Sequence, residues 1–155
     1  MVFLGIDPGK SGALAVIHST VNADRAVELY SFDEAKYREV LERYGNRRGV
    51  GGCVLERVSS MPGQGVASMF AFGVNYGYIR GLLEAFEIPY ELVIPRAWKR
   101  EYGVTADKNT SIEVAHRLFP DVSLLRTERC KKPDDGYAEA LLMAEYARRK
   151  MGGAS

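Results

Sequence analysis

The sequence predicts an α/β fold: a mixed five-stranded sheet with helices on both faces. Three observations point there. The first thirty or so residues hold three apolar runs broken by turn-forming residues, the pattern of antiparallel strands. Beyond them, strand-like and helix-like patterns alternate, as in parallel strands linked through helices. The chain of 155 residues also suits one core, because two domains would each be too small to bury enough apolar surface, so a single domain over 1–155 is expected.

Val2 to Ile6 and Leu14 to Ile17 are the first two strands, joined as a hairpin through Pro8, Gly9, Ser11 and Gly12. Ala26 to Phe32 is the third. Asp33 is placed to cap a helix that runs through Tyr44, with Glu34 near its positive end. Cys53 to Val58 is a compact apolar run interrupted by Glu56, which suits a buried central strand with one anomalous charge. From Val66 to Phe86 apolar residues recur at helical spacing, and Gly73, Gly77 and Gly81 fall four apart on one face. That face is expected to pack closely on the sheet, since Asn75, Arg80 and Glu84 argue against a membrane helix. Tyr90 to Ile94 is the fifth strand, ended by Pro95 and followed by a short segment containing Trp98 and Lys99. Asp107 or Thr110 opens a helix to Phe119, stopped by Pro120. Pro133 and Asp134 mark the start of a last helix to about Arg149, acidic in its first turn and basic in its last.

Composition narrows the class. Hydrophobic residues make up 46% and charged residues 26%, the balance of a globular protein. Charges interrupt every apolar run, so no membrane span is expected, and Met1 to Ile6 lead into a turn without the features of a signal peptide. A cytoplasmic location is expected. Cys53 and Cys130 lack a CxxC or a nearby His and are read as packing residues. The net charge of +1 decides nothing about nucleic acid, because an acidic site can offset a basic face. Basic residues gather at Arg47–Arg48, at Arg96, Lys99 and Arg100, and at 126–132 and 148–150.

Three acidic positions stand out. Asp7 ends the first strand, Glu56 sits in an apolar strand where an ionised carboxylate needs a cation, and Asp134 and Asp135 open the last helix. Each has an ordinary explanation: an Asx turn, a buried ion pair, a helix cap. Together they offer hard oxygen ligands on rigid elements, as a magnesium site requires.

The segments GIDPGKSGALAV, VLERVSSMPGQGV and KKPDDGYAEALLMA occur in an order that resembles RuvC-like Holliday junction resolvases, especially the compact versions found in phages. The resemblance spans nearly the whole chain and implies an RNase H-like fold. It also implies a metal-dependent endonuclease that hydrolyses branched DNA in paired cuts, leaving 5′-phosphate and 3′-hydroxyl ends. Two Mg2+ ions per site, with Mn2+ able to substitute, would be held by Asp7, Glu56 and Asp135 and a fourth acid. The family spaces its last two ligands three apart, but Lys132 stands three before Asp135. Asp134 is the preferred replacement, with Glu139 as the alternative or as support from behind. Lys108 is expected to act in catalysis, and Ser60, Gln64, Arg96, Lys99 and Lys108 to contact DNA. Trp98 is read as core with no site role. The expected partners are four-way junctions and a second copy of the chain.

Three other classes share part of this pattern. Actin-type and sugar-kinase-type ATPases share the Asp and Gly-rich opening hairpin, but they close a second domain over the nucleotide. A branched-DNA-binding relative that does not cut, and an RNase H-type nuclease with another substrate, are the two remaining alternatives.

Overall fold

The structure, a computed structural model, describes residues 1–19, 25–46, 49–59 and 62–152. Its elements are β1 (Val2–Asp7), β2 (Ala13–Ser19), β3 (Arg25–Ser31), α1 (Glu34–Tyr44), β4 (Val50–Glu56), α2 (Val66–Ala85), β5 (Tyr90–Val93), α3 (Pro95–Tyr102), α4 (Lys108–Leu118) and α5 (Asp135–Met151). The strands form one sheet in the order β3-β2-β1-β4-β5. β1, β2 and β3 pair antiparallel, whereas β1–β4 and β4–β5 are parallel. This is the mixed five-stranded sheet that the alternation predicts.

Strand alternation divides the side chains between two cores. Val2, Leu4 and Ile6 of β1 pack with Leu14, Val16, Cys53 and Leu55 beneath α1 and α2. Phe3, Val54, Ala13, Ala15 and Ile17 face the other way, toward α3, α4 and α5. Asp7 and Glu56 fall on this second face, in step with Phe3 and Val54. Because Ile6 pairs with Leu55 in the parallel register, the two acids end neighbouring strands at the same edge of the sheet.

α5 lies directly on that face. A Cβ at Gly5 would overlap the Ala140 carbonyl and the Ala144 amide, so the absence of a side chain lets the helix approach β1. The start of α5 is thereby set over the end of β1. Gly12 works similarly in the hairpin, where a Cβ would overlap the Asp7 carbonyl and where its N–H donates to Gly9 at 3.0 Å.

Some expectations need correcting. β4 begins three residues earlier than Cys53, because Phe3 and Met151 cover Gly51 and Gly52 and supply the bulk those positions lack. The segment with Trp98 is a helix of two turns, begun by Pro95 and closed by Gly103 in the left-handed conformation (φ 66°). The glycine face of α2 does not pack on the sheet. Gly73, Gly77 and Gly81 have nothing within 4 Å of a built Cβ, and Val66, Phe70 and Val74 are 87%, 75% and 50% exposed. Only the opposite side, with Ile79 and Leu83, is buried. Cys53 is buried as expected, but Cys130 is exposed. Arg47 and Arg48 lie outside the described residues. Among the described residues no helix is long and apolar enough to cross a membrane.

Candidate active site

At the shared edge of β1 and β4, the carboxylates of Asp7 and Glu56 meet the first turns of α5. Burial first, and then the charges of Glu56, Glu139 and Asp135, push Asp7 from its ordinary 3.8 up to about 7, while Lys99 pulls it down. Burial also pushes Glu56 up, aided by Glu139 and opposed by the Trp98 N–H and by Lys99. Four acids therefore share one field. Glu145 of α5 is a useful contrast: more deeply buried than Asp7 or Glu56, it is held by Arg148 at 2.7 and 2.8 Å and by Arg149 at 2.9 Å. Burial alone does not single out a site; crowded like charges do.

Asp135 and Glu139 stand four apart and so share one face of α5. Each meets a lysine. Lys99 Nζ is 3.2 Å from Glu139 Oε1, and Lys108 Nζ is 2.9 Å from Asp135 Oδ2. Lys99 is on α3 and Lys108 is the first residue of α4, so both helices after β5 aim a cation at α5. Lys108 is 75% exposed at its side chain and Lys99 only 27%. The ammonium of Lys108 is stabilised by its bond to Asp135, which raises its pKa.

Asp134 is engaged elsewhere, against the preferred sequence reading. Its Oδ1 accepts from the Tyr137 N–H at 3.0 Å as the N-cap of α5, and Arg126 binds both oxygens, at 2.8 Å to Oδ1 and 2.7 Å to Oδ2. Arg126 also donates to Ser31 Oγ at 2.9 Å and to the carbonyls of Gly12, at 3.3 Å, and Ser11. It ties the β1–β2 turn and β3 to the start of α5. Asp134 thus belongs to a clamp beside the site, and Glu139 is the acid that faces Asp7 and Glu56.

The remaining expected contacts are dispersed. Gln64 is exposed and lines a cleft of about 640 Å3 with Lys10, Ser68, Phe72 and Asn75. Arg96 is exposed on the first turn of α3. Ser60 lies outside the described residues. Trp98 is fully buried, as expected of a core residue, yet its Nε1–H donates to Glu56 Oε1 at 3.0 Å. Adjacency to Lys99 was the one hint of that role. Arg126 gave none beyond its place in a basic run.

The donor set fits a hard divalent cation in kind: four carboxylates, with no thiol or imidazole among them. With Glu139 and Asp135 turned to their lysines, no group of three His, Cys, Asp or Glu side chains among the described residues is arranged to hold an ion.

The chain shares its fold with solved RuvC structures. Thermus thermophilus RuvC superposes over 100% of this chain and 99% of its own, with a TM-score of 0.63 and 19% identity. The same T. thermophilus protein in complex with Holliday junction substrate gives a TM-score of 0.62 at 16% identity, covering 100% of this chain and 98% of that one. The yeast mitochondrial Holliday junction resolvase Ydc2 gives 0.58 at 13% identity over 96% of this chain and 78% of its own. No protein-family model matches the sequence, and comparison with characterised protein sequences gives no match.

Proposed function

We propose that the protein is a metal-dependent endonuclease that resolves four-way DNA junctions by paired hydrolysis. The observation that supports this best is the meeting of Asp7, Glu56, Asp135 and Glu139 at one edge of the sheet, flanked by Lys99 and Lys108. These four acids, with Glu139 in place of Asp134, would hold Mg2+ or Mn2+. The bound metal would supply Lewis acidity at a phosphodiester and ease the ionisation of water.

The chain's own groups do the rest. In the metal-free site Asp7 loses its proton around pH 7, so the full negative charge is present only above that pH. Lys99 and Lys108 offset that charge and can shift their ammonium groups to a DNA phosphate laid across the acids. Lys108, the more exposed, is suited to charge that develops on the phosphate during cleavage. Arg96 and Gln64 extend the contact along the strand. Arg126 and Asp134 tie the start of α5 to the β1–β2 turn and contribute to stability rather than to metal binding.

Symmetric cuts across a junction call for two sites, and the outward face of α2 is suited to join two copies. Val66, Phe70 and Val74 present apolar surface beside a glycine row with open space above it. The substrate is tested by comparing cleavage of four-way junction, linear duplex and RNA–DNA hybrid of the same sequence. Junction-selective cutting is expected; preference for hybrid would keep the metal centre and change the substrate to that of an RNase H.

A further inference from the structure

Trp98 is the one tryptophan of the chain, and none of its surface reaches solvent. A buried indole N–H needs an acceptor. Here the acceptor is Oε1 of Glu56, 3.0 Å away, a carboxylate with a pending role at the site. The path of the chain explains the meeting: Glu56 pairs with Val93 across β4 and β5, and α3 begins at Pro95, so its first turn lays Trp98 over Glu56. The ring's face has a second occupant. Lys99 Nζ stands 5.3 Å from its centroid, in cation–π range, while it also binds Glu139 at 3.2 Å.

We propose that Trp98 is a positioning residue for the carboxylate cluster. Its N–H edge holds Glu56 by Oε1 and leaves Oε2 available to a cation, and its face seats Lys99 against Glu139. The terminal torsion of a glutamate is broad, so without a donor on one oxygen the carboxylate plane would swing. Partners standing behind a ligand in this way commonly change metal affinity 10- to 100-fold. The proposal rests on the reading of Asp7, Glu56, Asp135 and Glu139 as the metal site.

A single tryptophan makes the test direct. In 15N-tryptophan-labelled protein the one indole resonance should move on Mg2+ titration, saturating at the concentration that calorimetry gives for binding. In Glu56→Gln it should start elsewhere and fail to follow Mg2+. Trp98→Phe keeps most of the ring and removes the N–H; its Mn2+ affinity should fall about 10-fold or more, with four-way junction binding in chelator unchanged. Wild-type Mn2+ affinity in Trp98→Phe, beside lost affinity in Glu56→Gln, would overturn the role of Trp98 alone. Unaltered affinity in Glu56→Gln would overturn the metal-site reading and this proposal with it. Should Trp98→Phe not fold, an indole resonance unmoved by saturating Mg2+ refutes the positioning role without that variant.

Discussion

Replacing Asp7 by Asn should stabilise the metal-free protein, and only above acid pH. The carboxyl of Asp7 binds its proton up to about pH 7 in the fold, against an ordinary 3.8, because partial burial and then the charges of Glu56, Glu139 and Asp135 disfavour its ionised form. A carboxyl whose pKa is raised on folding favours the native state fully below the unfolded value, and that contribution is lost as pH rises through the folded one. Wild-type stability should therefore decline between about pH 4 and pH 7 relative to Asp7→Asn, which resembles the protonated acid at every pH. Each pH unit between the two values is worth about 1.4 kcal/mol, so about 4 kcal/mol is the ceiling. Asp7 is only partly shielded from solvent, and about 2 kcal/mol is the working figure. For a domain of this size that is a rise in Tm of roughly 4–8 °C. Thermal melts of both proteins in chelator at about pH 3 and pH 8 make the comparison, with no difference expected at the lower pH because it lies below the unfolded value. Mg2+ should then reverse the order at pH 8 by stabilising the wild type. Equal melting at pH 8, or a less stable Asp7→Asn, would refute the crowding of charge on which the site rests.

Three further outcomes are expected. Asp134→Ala should lower stability by about 2 kcal/mol through the lost cap and the stranded Arg126, and keep Mn2+ binding, whereas Glu139→Gln should do the reverse; calorimetry on both decides which acid is the fourth ligand. Lys99→Ala should weaken junction binding and lower its salt slope by about one. Because Lys99 favours the ionised form of both Asp7 and Glu56, its loss should also move the acid limb of the cleavage profile to higher pH, and an unmoved limb would separate Lys99 from Asp7. Phe70→Glu on the open face of α2 should convert a dimer to a monomer in light scattering, and an unchanged mass would place the self-interface elsewhere.

Much of this arrangement was legible in the sequence where local rules act alone. The hairpin, the Asp33 cap, with its side chain 2.8 Å from the Lys36 N–H, and the alternating order of elements follow from turn chemistry and periodicity. Asp7 and Glu56 stood out because a charge at the end of an apolar strand needs a reason. What failed were questions of facing. Asp134 precedes the first turn of α5 and points back to Arg126, while Glu139 lies one turn beyond Asp135 on the same face of the helix; adjacency in sequence favoured Asp134, and helical facing favours Glu139. The glycines of α2 share a face in the sequence, but nothing local says whether that face turns inward. Trp98 looked like core and is core, and its single polar atom became informative only once β4 and α3 were brought together.

Cutting of junctions by these acids must depend on a bound metal and on the Asp7 carboxylate. The most direct measurement is single-turnover cleavage of an end-labelled four-way junction by wild type and Asp7→Asn, in Mg2+, in Mn2+ and in chelator, with binding followed in parallel. The wild type should give paired, symmetric nicks with either metal and none in chelator, and Asp7→Asn should give none although it still binds the junction. Cleavage that survives chelation or the loss of the Asp7 carboxylate would contradict that dependence.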